Sequence, residues 1–207
     1  MPKRALTPEL IAATALELGD RDGDPAMSMR RIAAELGCDP MAIYRHFANR
    51  EALLDAVADL ALAGVAAPGP DLRWDQRLSE LLTEVRGAAL RHPGIAAHVA
   101  ARPPLGANGR RLSAAITGAL ADAGLTPSGV VQSTQALIAY VAAALAMTVK
   151  AGARDERWHR VSAVLGAGMP VVGSEEQFAY GLRLMINGIR GEAAGGGQGS
   201  VHSPIRE

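Results

Sequence analysis

The chain has 207 residues, enough for one fair-sized domain or two modest ones with real cores. It is 49% hydrophobic but only 3% aromatic, and alanine recurs in nearly every segment, which excludes a sheet-rich fold and favours helices. The formal net charge is zero, and residues 1–66 hold seven Lys/Arg against ten Asp/Glu, so a nucleic-acid role has to rest on where the cations sit.

The first helix signal is Thr7-Pro8-Glu9: a capping hydroxyl, a proline at the first helical position and an acid in the first turn. Leu10, Ile11, Ala15 and Leu18 give that helix an apolar side, and Gly19 reads as its end. An acidic loop, residues 20–26, leads to Ser28, the cap of a second helix with Ile32, Ala33 and Leu36 inward and Gly37 at its stop. Asp39-Pro40 repeats the cap-plus-proline start, with Ile43 and Phe47 inward. Asn49 caps a fourth helix carrying Leu53, Leu54, Val57 and Leu60.

The breaker Pro68-Gly69-Pro70 marks a boundary between residues 1–66 and 67–192. Beyond it the pattern predicts helices over 74–91, after Pro93, and over 108–123, 127–151, 155–167 and 174–190. The Gly-rich residues 193–207 read as a disordered tail, and no internal repeat is present. No stretch alternates with period two, so the expected fold class is all-α: a small N-terminal helical domain and a larger helical one. The longest apolar run, Ala136 to Val149, falls short of the roughly 18–20 residues of a membrane span, and the N-terminus lacks a signal-peptide pattern. With a lone cysteine, Cys38, the expected location is a reducing cytoplasm, with no membrane partner.

Residues 28–47 carry the chemistry. Two short helices joined by Gly37-Cys38-Asp39 make a helix-turn-helix, whose second helix fits the major groove of double-stranded DNA. With Ile43 and Phe47 inward, Met41, Ala42, Tyr44, Arg45 and His46 point out. Arg45 suits a bidentate contact to guanine, Met41 and Ala42 a thymine methyl, and Tyr44 and His46 phosphates. Arg30 and Arg31 begin the preceding helix, and Arg50 sits at a helix N-terminus beside the Asn49 cap, all suited to the DNA backbone. Lys3 and Arg4 form a basic arm, and the acids of 20–24 are expected to lie off the DNA face.

Elsewhere the signals are weaker. His98 is a binding candidate on an alanine-rich helix, where a lone histidine is more often structural. His92, before Pro93, suits a helix-end cation, while Trp158 and His159 read as exposed or interfacial. Cys38 reads as a small turn filler. No acid pair, metal spacing, nucleophile motif or phosphate loop supports an enzyme in the helical domain, and Gly166-Ala167-Gly168 is too short to count, so neither a cofactor nor a metal is expected. An architectural DNA-binding protein is the other alternative.

Three segments together closely resemble the tetracycline-repressor (TetR-type) family: Met29 to Gly37, Ala42-Ile43-Tyr44-Arg45-His46-Phe47, and Asn49-Arg50-Glu51-Ala52-Leu53-Leu54. The resemblance covers roughly residues 5–62 and implies a homodimeric repressor on a palindromic operator, with a small-molecule effector bound in the C-terminal domain. The second half is similar too, through Trp74, the run His98 to Pro103, and Ala123-Gly124-Leu125. In tetracycline-binding members the positions matching His98 and Arg102 lie at the drug and its magnesium ion. Positions matching a histidine, an asparagine and a phenylalanine of that site hold Ala66, Leu81 and Val85 here. The resemblance therefore implies an effector site at His98, Arg102, Leu81 and Val85 that has lost most of its tetracycline contacts. It also makes the Leu137–Met147 and Phe178–Ile189 series a four-helix dimer interface, with Gly181 and Gly188 permitting close approach.

Overall fold

Side-chain caps start the first four helices. The Thr7 hydroxyl accepts from the Leu10 N–H at 3.2 Å, Ser28 from Arg31 at 3.3 Å, Asp39 from Met41 at 2.8 Å, and Asn49 from Ala52 at 2.8 Å. Each such cap contributes about 1 kcal/mol to a helix too short to stand alone. A computed structural model describes residues 5–151 and 173–195. Among these residues there are nine helices and no strand: α1 (Pro8–Asp22), α2 (Met29–Glu35), α3 (Pro40–Tyr44), α4 (Arg50–Ala61), α5 (Trp74–Arg91), α6 (Pro93–Ala101), α7 (Ala107–Asp122), α8 (Pro127–Ala151) and α9 (Glu175–Gly195). A 3-10 turn, Asp24–Ala26, joins α1 to α2. The all-α class and its order therefore stand. The helix expected over 155–167, Trp158, His159, and the arm at Lys3 and Arg4 lie outside the described residues.

Several ends differ from the sequence reading. Gly19 does not stop α1, which runs to Asp22 and closes at Gly23, with φ of 81°. Gly19 is instead a packing site: a Cβ there would meet the Met27 sulfur at 2.8 Å, and a Cβ on Gly94 would fall 2.3 Å from the Gly19 carbonyl oxygen. The two backbones touch where α6 crosses α1. α2 ends at Glu35, with Gly37 at φ 62° just beyond. α9 continues past Arg190 to Gly195, so no tail begins at residue 193. Ala193 and Ala194 are strong helix formers and carry it on.

The chain break at Pro68–Pro70 is not a break in packing. Ile11, Leu18, Ile32, Ile43, Leu53 and Val57 fill the N-terminal end, and one buried cluster joins them to Leu78, Ile95, Leu120 and Leu137. α6 lies against both α1 and α4, which makes it the shared wall.

At the far end α5, α8 and α9 are pinned by polar groups. The buried Arg86 guanidinium donates to the Gly173 carbonyl at 2.8 Å and to the Thr148 hydroxyl at 3.0 Å, and it stacks 5.0 Å over the Phe178 ring. Asp75 accepts from Arg73 at 2.9 Å and Arg190 at 2.6 Å, tying the start of α5 to α9. Tyr140 stacks on Phe178 with ring centroids 5.5 Å apart and donates its hydroxyl proton to the Phe178 carbonyl at 2.7 Å. Its ring fills the space beside Gly181, where a Cβ would lie 2.2 Å from the tyrosine oxygen. Gly181 thus serves packing within the chain, while Gly188 faces open space.

α8 corrects the hydropathy reading, because Pro127–Val149 is long and apolar enough to cross a membrane by length and composition, with mean hydropathy 1.5. Counting only unbroken apolar residues missed this, since Ser128, Gln132, Ser133, Thr134 and Gln135 are few enough for the alanines to outweigh.

Two glycines should respond oppositely to alanine. Gly94→Ala drives a methyl into the Gly19 backbone and should lower stability by about 1–3 kcal/mol, the usual range for overpacking. Gly118→Ala, on the open side of α7 with nothing within 4 Å, should raise it by about 0.5–1 kcal/mol. Denaturant melts of both variants check the contrast, and a Gly94→Ala protein as stable as the parent would show that α6 does not depend on this approach.

Candidate nucleic-acid interface and apolar pocket

α3 has only five residues, and two buried anchors hold it down. Ile43 is fully buried and Phe47 nearly so, which turns the opposite side to solvent. Met41 is 65% and Tyr44 45% exposed, and Ala42 is half-buried between them. The sequence placed Arg45 and His46 on the helix, whereas α3 ends at Tyr44. Both are exposed, and Arg45 keeps helical backbone angles (φ −71°, ψ −22°), so the ridge continues beyond the helix end.

The surrounding arginines fall into two groups. Arg30 and Arg45 are exposed and make no ion pair among the described residues. Arg31 pairs with Asp22, which also holds Arg21 at 3.0 Å. Arg50 donates to the Asp24 carboxylate at 2.7 Å, to the Asp24 carbonyl at 3.1 Å and to the Met27 carbonyl at 3.3 Å. The acids of 20–24, expected in a loop off the DNA face, begin instead in the last turn of α1 and reach the arginines. Two of them grip the residues assigned to the DNA backbone.

A second site lies behind α4. Leu82 and Val85 of α5, Val99 of α6, Leu112 and Ile116 of α7, and Ile138, Val141 and Leu145 of α8 enclose a pocket of about 610 Å³ including its open mouth, closed on one side by Pro103 and Pro104. Among the described residues, Ser113 brings the only side-chain hydroxyl to the wall, and no charged side chain lines it. Of the four residues assigned to an effector, Val85 lines the pocket. Leu81 is 2% exposed in the core, and its neighbour Leu82 takes the lining position.

His98 and Arg102 point elsewhere. The His98 Nε2 lies 2.8 Å from Asp55 Oδ1, and Arg102 bonds Asp55 at 3.2 Å and Glu51. Among the described residues the wall holds no imidazole or carboxylate, so none of them offers the magnesium ligands of tetracycline-binding proteins. His92 stands at the helix end expected of it, closing α5 with its N–H on the Ala89 carbonyl, and its Nδ1 lies 2.7 Å from the Asp20 carboxylate.

These contacts reveal a feature the sequence reading missed. Glu51, Asp55 and Asp59 are spaced one turn apart along α4, and all three reach into the larger half of the molecule. Asp59 accepts from the N–H groups of Asn108 and Gly109 at 3.1 and 2.8 Å and from the Asn108 amide at 3.1 Å, capping α7 from outside. The Glu-x-x-x-Asp-x-x-x-Asp spacing was visible, but it reads as a solvated face until α6 and α7 are laid against it. The segment 102–109, which includes the Pro103–Pro104 wall, is therefore held to α4 at both ends.

Residues 11–57 match the model of the bacterial regulatory proteins, tetR family, and residues 67–192 match that of the tetracyclin repressor-like C-terminal domain. An HTH-type transcriptional regulator of Saccharopolyspora erythraea is 33% identical over 142 residues, which span 67% of this chain and 59% of that protein. The crystal structure of the Streptomyces coelicolor TetR family protein ActR in complex with actinorhodin superposes with a TM-score of 0.76 at 27% identity, covering 96% of this chain and 100% of that one. That of BioQ with its double-stranded DNA operator gives 0.69 at 27% identity, over 90% and 99%.

The Asp55 junction makes a prediction about pH. Burial pushes its carboxyl up, but hydrogen bonds from His98 and Arg102, with the Arg102 charge, outweigh this and hold it below the usual carboxylate value. A carboxyl lowered in the folded state contributes stability above its unfolded pKa of about 3.9, and that contribution is lost as pH falls through the lower folded value. Asp55→Asn should therefore melt below the parent near pH 6, with the gap closing as pH drops below about 4. A gap unchanged between pH 6 and pH 3 would contradict the assignment.

Proposed function

The chain belongs to the tetR family of bacterial regulatory proteins, and from that membership we propose that it is a homodimeric transcriptional repressor released from a palindromic operator by an uncharged, largely apolar small molecule. One observation carries this reading: a solvent-facing ridge at Met41, Tyr44, Arg45 and His46 directly precedes α4, whose acids bond the segment that walls an apolar pocket.

At the DNA end, Ile43 and Phe47 fix the ridge so that Arg45 meets a guanine edge and Tyr44 and His46 meet phosphates, while Arg30 approaches the backbone from α2. Two copies read two half-sites, about 34–36 Å apart, whose separation the dimer sets. The partner surface is supplied by α8 and α9. Val131, Gln135, Ala139, Ala143 and Met147 form an exposed stripe on α8, and Tyr180, Leu184 and Gly188 form another on α9. Alanine and glycine allow helices to approach closely, and the exposed apolar residues there suit a second copy rather than water. Operator DNA as partner puts the protein in the cytoplasm.

At the pocket end, the apolar lining contributed by the described residues selects against charge. A ligand that widens the gap between Val99, Pro103–Pro104 and Leu112 moves segment 102–109. Arg102 and the Asp59-capped start of α7 then carry α4, and with it α3, to a separation that no longer fits successive grooves. Coupling of about 1–3 kcal/mol per ligand is typical, and two ligands act on one dimer. The complex of ActR with actinorhodin and that of BioQ with its operator support the two halves of this reading.

Footprinting on the DNA flanking this gene, repeated with a panel of apolar compounds, tests the whole. A palindromic footprint erased by a compound is expected, and uniform coverage would favour an architectural role. Arg45→Ala should lose about 1–3 kcal/mol on the operator and relax base preference at one position per half-site, whereas equal loss on random DNA would contradict direct readout. Val85→Trp, which fills the pocket, should keep the footprint and weaken its release at least tenfold.

A further inference from the structure

The reader carries three more acids than bases, and its arginines are not equally available. Asp22 Oδ2 accepts from both Arg31 and Arg21, and Arg21 reaches on to Glu35 at 3.5 Å. Asp24 holds Arg50 through its carboxylate and its backbone carbonyl, so the Nε and Nη2 edge of that guanidinium is spent on the turn. These side chains are about half exposed: 50% for Arg31 and 44% for Arg50. Pairs of this kind open readily in water, yet each carboxylate occupies guanidinium donors that a phosphate would otherwise take.

We propose that Asp22 and Asp24 are a built-in competitor for DNA phosphates, holding Arg31 and Arg50 in ion pairs that DNA must open, and so lowering affinity for duplexes of any sequence. The inference rests on the DNA-binding reading above. A phosphate that takes Arg50 from Asp24 leaves that carboxylate unpaired beside the DNA anion, so the exchange gains less than capture of a free arginine. Arg30 and Arg45, without such partners among the described residues, keep their full effect. The device weakens the sequence-independent phosphate term and leaves the base-reading ridge alone.

The test is a salt titration of the full chain on a random-sequence duplex of about 30 base pairs, which needs no known operator. Asp24→Asn and Asp22→Asn should each bind it about three- to tenfold more tightly at low salt. Each should steepen the slope of log K against log salt by up to about 0.9 per freed arginine. Glu17→Gln removes the same charge from the exposed side of α1 without touching an arginine, and should shift affinity less than twofold. Adding Arg50→Ala to Asp24→Asn should abolish the gain. Binding by Asp24→Asn no tighter than by Glu17→Gln, or weaker than by the parent, overturns the proposal and makes the acids positioning groups. If the parent binds no duplex at any salt, the DNA-binding reading fails with it. Melting temperatures of the asparagine variants confirm that the fold is retained.

Discussion

Where α6 crosses α1, the backbone of Gly94 rests on the carbonyl of Gly19, and no side chain separates them. This approach sets how closely the larger half of the molecule lies on the reader. A methyl at Gly94 would already overlap the α1 backbone, so the crossing has a single spacing rather than a range. Asp20 and His92 bond beside it, and at the other end of the same short helix His98 bonds Asp55. α6 is thus fixed to α1 at its start and to α4 at its finish. Those nine residues therefore join both N-terminal helices to the larger half, alongside the Asp59 bonds to the start of α7.

For the release mechanism proposed above, these fixings supply a lever with polar joints and an apolar bearing. Its bearing is the shared core, which transmits displacement because close-packed interiors do not compress. The joints are Glu51, Asp55 and Asp59, whose bonds are directional and specify which part of the C-terminal half each turn of α4 follows. Apolar contacts alone would let α4 slide along α6. Charges alone, at exposed positions, would hold it weakly.

Helix starts, and the buried set Ile32, Ile43, Leu53 and Val57, were legible because caps and apolar spacing are local signals. So was the exposed ridge of α3. The tertiary uses of small and charged residues were not. Gly19 reads as a stop because nothing local reveals that another backbone lands on it, and Gly181 reads as an intersubunit contact because Tyr140 lies forty-one positions away in sequence. His98 and Arg102 matched pocket positions by spacing, but Asp55 draws both toward α4. Leu81 and Leu82 cannot be told apart by a pattern that marks both as apolar, yet only Leu82 lines the pocket.

The length of α3 sets a limit on what one subunit knows. Five helical residues rise only about 7.5 Å, little more than two steps of about 3.4 Å between stacked base pairs. With Arg45 and His46 extending the ridge, a single reader spans only a short word, one that recurs by chance throughout a bacterial chromosome. A rare address arises only when two such words are read at a fixed spacing. The information is therefore stored as much in the distance between two copies of α3 as in the side chains upon it.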